Sequence, residues 1–183
     1  MGVEIEKKYR VSREQTEALR GRLGEVGAAA QGGEEFEENT LYGGPGLDPH
    51  SRVLRVRRVG GRGVFTYKER GTSESAVKRH REEETEVADA DALAAILEAL
   101  GYRPALVYEK RRTTYHVGGA EVVLDELPFG LFIEIEGEEE AIHEVEELLG
   151  LSGAEAEHAP YPAITAREGR ERDGVIEARF ARN

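Results

Sequence analysis

Five sets of charged residues recur two positions apart in this chain: Glu4, Glu6 and Lys8; Arg55 and Arg57; Glu82 and Glu84; Lys110 and Arg112; Glu134 and Glu136. Thr66 and Lys68 flank Tyr67 in the same way, and Ile5, Val56 and Ile135 fill other intervening places. In an extended chain residues i and i+2 point to one face, so each set presents its charges side by side. Taken singly, such a pair marks a solvated strand face with cross-strand ion pairs worth about 0.2–1 kcal/mol. Five sets, each with two like charges side by side, ask for more, because adjacent like charges repel unless something intervenes. Clustered carboxylates suit hard divalent cations such as Mg²⁺ or Mn²⁺, and clustered Lys and Arg suit a polyanion, with arginine forking onto phosphate oxygens. With Asp125 the set has seven acids and six bases, a formal −1. A bound triphosphate of about −4 would leave a large negative excess that one or two divalent ions would largely offset. The chemistry expected is binding of a metal–polyphosphate complex.

These side chains need strands to hold them and helices to cover the apolar face behind them. Residues 3–11 alternate as a strand, and Ser12 with Gln15 forms a capping box ahead of Ala18, Leu19, Leu23 and Val26. From about 34 to 87, short strands alternate with glycine punctuation at GGPG (43–46) and GGRG (60–63). A helix fits 89–100, capped by Asp89 or Asp91 and stopped by Gly101. Strands at 104–116, 120–127 and 131–136 follow, joined by Gly118-Gly119 and by LPFG, and a third helix fits 138–149 before Gly150. The fold class expected is α+β, with about eight antiparallel strands in a closed or nearly closed barrel and helices outside. Residues 1–166 would form that domain. Residues 167–183, mostly charged, would form a tail, either a solvated helix or a mobile end.

Composition limits the alternatives. The chain has 183 residues with 37 acids against 25 Lys plus Arg, a net −12. That balance argues against a general nucleic-acid or anionic-membrane surface. Without cysteine there are no disulfides, zinc–thiolate sites or thiol nucleophiles. No long apolar run is visible, so a cytoplasmic protein is expected. The glycine runs lack the Gly-Lys-Ser/Thr of a nucleotide loop, and the histidines at 50, 80, 116, 143 and 158 have no metal-ligand spacing.

The run EIEKK at 4–8 resembles the ExExK signature of the CYTH superfamily, the triphosphate tunnel metalloenzymes that group class IV adenylate cyclases with thiamine and inorganic triphosphatases. Four further blocks follow in that family's order: LRVRR at 54–58, FTYKER at 65–70, EKRRTTY at 109–115 and VVLDELPFGLFIEIEG at 122–137. The likeness covers about residues 3–165 and implies an eight-stranded antiparallel tunnel that takes a small-molecule triphosphate, in a monomer or a homodimer. It implies that Glu4, Glu6, Asp125, Glu134 and Glu136 hold divalent ions, and that Lys8, Arg55, Arg57, Lys68, Lys110 and Arg112 grip triphosphate oxygens. Glu4, Glu6, Lys8 and Arg57 are the expected catalytic residues. Glu82 and Glu84 join the substrate-binding set, although a one-residue slip in RHREEETE would exchange them for Glu83.

The chain departs from the family in three places, one of them Pro160-Tyr161-Pro162-Ala163-Ile164, where members often show Ser-Tyr leading into a short helix with apolar residues. Where many members carry an acidic and aromatic D-x-Y-F-D, it reads Asn39-Thr40-Leu41-Tyr42-Gly43, and no lysine near the end matches the one some triphosphatases supply, which leaves open whether Arg167 or Arg170 substitutes. The expected reaction is hydrolysis of inorganic triphosphate, thiamine triphosphate or a nucleoside triphosphate. The runner-up is a cyclase making 3′,5′-cyclic AMP and pyrophosphate from ATP, with Tyr42, Tyr67 and Phe129 as candidate adenine contacts. A non-catalytic polyphosphate- or nucleotide-binding module is the third reading.

Overall fold

Alternation of apolar and charged residues is what sorts the two faces of each strand in the computed structural model, which describes residues 5–48, 51–70 and 80–182. The elements run β1 (Glu6–Val11), α1 (Arg13–Glu25), β2 (Ala30–Gly43), β3 (Arg52–Val59), β4 (Arg62–Arg70), β5 (His80–Val87), α2 (Ala90–Ala99), β6 (Arg103–Val117), β7 (Ala120–Leu127), β8 (Gly130–Glu136), α3 (Glu139–Leu149), α4 (Tyr161–Glu168), β9 (Arg170–Arg172) and β10 (Val175–Ala178). The class is α+β and built on antiparallel sheet, as expected. Two compact units divide the chain, one of residues 1–35 and 110–160, the other of 36–109 and 161–183, so that β6 runs from the second into the first.

In the first unit β8 lies between β1 and β7, and β7 pairs with the second half of β6, all antiparallel. Tyr9, Val11, Val122, Leu124, Ile133 and Ile135 share one face with Leu19 and Leu23 of α1 and Ile142, Val145 and Leu149 of α3 in one buried cluster. Each such side chain contributes about 1.5–3 kcal/mol on burial. A slip of one residue in any of these strands would turn charges into the cluster, so the apolar parity fixes the register. Ser12 and Gln15 form the expected capping box on α1, and Gly150 closes α3 at φ 67°. The β6–β7 turn is the expected two-residue hairpin, with Gly118 at φ 58° and Gly119 at φ 78° between the paired Val117 and Ala120.

In the second unit β2, β3, β4 and β5 form an antiparallel meander. Tyr42, Leu54 and Val56 are buried against Leu97 of α2, with Phe65 and Tyr67 packed on the same cluster. Asp89 is the N-cap of α2, its carboxylate accepting from the Asp91 and Ala92 backbone amides. The stretch after 166 differs from the solvated helix or mobile end expected of it. There β9 pairs with β10, and β10 pairs in parallel with the first half of β6. Charge helps to anchor it: Arg179 Nη1 donates to Glu38 and, at 3.1 Å, to Glu109, while the Phe180 amide donates to Glu109 at 2.8 Å. Among the described residues no helix is long and apolar enough to cross a membrane.

Candidate active site

On the first unit, the strand face opposite the helices carries the charge. Register aligns it in rows: Glu6 beside Glu136 beside Glu121; Lys8 beside Glu134; Asp125 beside Arg112. Lys8, Lys110, Asp125 and Glu134 are all under a tenth exposed. Arg112 links the acids, its Nε 2.7 Å from Asp125 Oδ1 and its Nη2 2.6 Å from Asp125 Oδ2 and 2.7 Å from Glu134 Oε2. Lys110 Nζ is 3.5 Å from Asp125 Oδ2, and Lys8 Nζ is 3.6 Å from Glu134 Oε1. Burial and then the Asp125 charge push the Glu134 carboxyl above the ordinary carboxylate range, against the opposing pull of Lys110 and Arg112, with Glu6 adding to the rise. Glu4 lies outside the described residues.

The second unit carries a charged strand face of its own. Arg55 and Arg57 of β3 lie on the side away from Leu54 and Val56. Arg57 Nε donates to Asn39 Oδ1 at 3.2 Å and is 3.5 Å from Glu37 Oε2. Arg55 Nη2 donates to Thr66 Oγ1 at 3.1 Å and is 3.6 Å from Glu84 Oε2, while Lys68 Nζ is 2.8 Å from Glu82 Oε2. The β4–β5 register sets Thr66 opposite Glu84 and Lys68 opposite Glu82. Glu83 falls opposite Tyr67, on the other face, so pairing with β4 selects Glu82 and Glu84 over the one-residue slip.

Three residues on these faces escaped the sequence reading. Glu121 completes the row with Glu6 and Glu136. Glu37, 3% exposed, stands two residues before Asn39 on the same face and provides an acid beside Arg57 although Asn39 occupies the aspartate position of the family pattern. Tyr108, also 3% exposed, takes a hydrogen bond from Arg55; burial raises its phenol pKa against the pull of Arg55 and Arg57. Its signal was its place two residues before Lys110 in a strand. Arg167 is paired with Glu168 and Arg170 is exposed, while Arg179 pairs with Glu38 and Glu109, which point to the opposite face of their strands from Asn39 and Lys110.

Among the described residues no three His, Asp or Glu side chains are gathered into a formed metal cage. The donor chemistry nevertheless fits a hard divalent cation. Glu6, Glu136 and Glu121 stand in adjacent cross-strand places, where like charges destabilise a sheet, and Asp125 with Glu134 adds two buried carboxylates that repel each other.

The model of the CYTH domain matches residues 2–156 of this chain. No curated protein matches it. Among solved structures, the PH1012 protein of Pyrococcus horikoshii OT3 is 27% identical, with a TM-score of 0.72 over 86% of this chain and 96% of its own. A proposed adenylate cyclase of Vibrio parahaemolyticus shares the fold at 24% identity and a TM-score of 0.69, covering 90% of this chain and 98% of its own. HpAC1 of Hippeastrum, a proposed adenylyl cyclase described as having a dominant triphosphatase activity, shares it at 21% identity and a TM-score of 0.59, covering 85% and 90%. A family whose members include triphosphatases and adenylate cyclases, and which depends on metal in general, agrees with the clustered carboxylates and cations on these strand faces, and this chain belongs to the CYTH family.

Proposed function

We propose that this protein is a divalent-metal-dependent triphosphatase that hydrolyses inorganic triphosphate, thiamine triphosphate or a nucleoside triphosphate in the family's tunnel. The observation that carries the reading is the buried face on which Arg112 bridges Asp125 and Glu134 beside Lys8 and Lys110. Burying that many charges is costly, and a face of this kind is worth its desolvation when it meets a charged ligand. Glu4, Glu6, Asp125, Glu134 and Glu136 would hold Mg²⁺ or Mn²⁺, which when bound supplies neutralisation of phosphate charge and acidifies water. Lys8, Lys110 and Arg112 would hold phosphoryl oxygens, with Arg55, Arg57 and Lys68 doing the same from β3 and β4. Arg57 and Lys8 would stabilise charge developing on the leaving oxygens. Glu82 and Glu84 would orient Lys68 and Arg55 at the distances seen.

Hydrolysis is preferred to cyclisation because Tyr42 and Tyr67, two of the aromatic candidates for holding adenine, pack into the cluster under α2, on the face away from Arg55 and Lys68. The net −12 supports a small-molecule partner rather than nucleic acid, and a cytoplasmic setting accords with the absence of cysteine. The test is phosphate release from inorganic triphosphate, thiamine triphosphate and ATP, each with Mg²⁺ or Mn²⁺. Release that disappears in Glu6→Gln supports the reading, and no release from the wild-type protein, with binding retained, would favour the non-catalytic module.

A further inference from the structure

Arg55 differs from Arg112 in what holds it. Carboxylates grip Arg112 at 2.6–2.7 Å, so its charge is largely matched. Arg55 donates to two hydroxyls, Thr66 Oγ1 at 3.1 Å and the Tyr108 phenol, and its ion pair with Glu84 is longer, at 3.6 Å. Neutral acceptors fix a guanidinium without cancelling its charge. The phenol keeps its proton at neutral pH because burial raises its pKa, and so it stays such an acceptor. Arg55 Nε is meanwhile buried with no hydrogen-bond partner among the described residues, which leaves a costly orphan donor unless a ligand accepts from it.

The placement of Tyr108 comes from the part of the chain beyond the family match, which ends at residue 156. Ala178 of β10 pairs with Tyr108 in parallel register, and the Tyr161 ring of α4 lies 6.3 Å from the Tyr108 ring, tilted by 47°. One residue on, Glu109 accepts from Arg179 and from the Phe180 amide, pinning this end of β6 to the C-terminal segment.

We propose that Tyr108 is a positioning residue, clamped by the C-terminal segment, that aims Arg55 so that its Nε–H meets an oxygen of the substrate polyphosphate. This rests on the triphosphatase reading and extends it to a residue that binds through another.

The experiment is a double-mutant cycle with Tyr108→Phe and Arg55→Lys, measuring kcat and KM for inorganic triphosphate with Mg²⁺, and calorimetric binding of inorganic triphosphate alone. Tyr108→Phe keeps the ring against Tyr161 and removes the acceptor. It should raise KM about tenfold, the scale of one hydrogen bond to a charged group, with kcat within about twofold. The same change on the Arg55→Lys background should add less than about twofold. A KM unchanged in Tyr108→Phe, an effect on KM that is undiminished without Arg55, or loss of the folded state in Tyr108→Phe would each overturn the proposal while leaving the triphosphatase reading standing. A wild-type protein that neither binds nor hydrolyses inorganic triphosphate, thiamine triphosphate or ATP would overturn both.

Discussion

Arg112 meets Asp125 as a two-pronged fork, Nε to Oδ1 at 2.7 Å and Nη2 to Oδ2 at 2.6 Å, with the Asp125 side chain fully buried. The same Nη2 reaches Glu134, so one guanidinium holds together two carboxylates that repel each other.

Arg112→Ala should therefore lower stability as well as function. Removing one partner of a buried charge set costs about 3–5 kcal/mol, which in a chain of this size is a fall in Tm of about 6–20 °C. Thermal unfolding checks this, and a Tm within about 2 °C of wild type would show that the fork contributes little.

Glu6→Gln separates binding from folding, because Glu6 is exposed at the end of the acidic row. The variant should melt like wild type, while metal-dependent turnover falls by about 100-fold or more. Kinetics at several Mg²⁺ concentrations beside a melting curve decide it, and full activity in the folded variant would remove Glu6 from the metal set.

On the helix side of the first unit, Glu146 accepts from Lys7 Nζ at 2.8 Å and from the Tyr9 hydroxyl, and His143 Nδ1 is 3.0 Å away. Burial alone would raise its pKa, but the bonds from Lys7 and Tyr9 and the Lys7 and His143 charges bring it below the ordinary 4.5. A depressed carboxyl stabilises the fold above its unfolded pKa, and that stability is lost as pH falls through the folded value. Glu146→Gln should thus be less stable than wild type by about 1–2 kcal/mol at pH 7, with the gap closing as pH falls below about 4.5. Urea unfolding across that window tests it; a gap independent of pH would contradict it.

Arg179→Ala should loosen the end of the chain. Glu109 is 3% exposed, and losing its Arg179 partner costs about 1–3 kcal/mol. Amide exchange at Leu106–Tyr108 and Ile176–Ala178 should accelerate together, and unchanged protection there would show that the ladder holds without the ion pair.

Much of this architecture was legible in the sequence because parity and apolar burial act together. Ile133 and Ile135 can only face α1 and α3, which sends Glu134 and Glu136 to the other side, and the glycine pair at 118–119 fixes where β6 turns back. Where no apolar residue marks a face, parity is silent: in RHREEETE only pairing with Thr66 and Lys68 distinguishes Glu82 and Glu84 from Glu83. Tyr108 was hidden for the opposite reason, since in the apolar run before Glu109 it reads as ordinary core. The segment 167–183 was illegible because ion pairs to Glu38 and Glu109 hold it, and such partners are 70 or more residues away in the chain.

The central claim is met most directly by incubating the purified protein with inorganic triphosphate, thiamine triphosphate and ATP, each with Mg²⁺ or Mn²⁺, and resolving orthophosphate, pyrophosphate and cyclic AMP. The account predicts orthophosphate from at least one substrate and no cyclic AMP. Cyclic AMP appearing with equimolar pyrophosphate from ATP would contradict it and make the protein a cyclase.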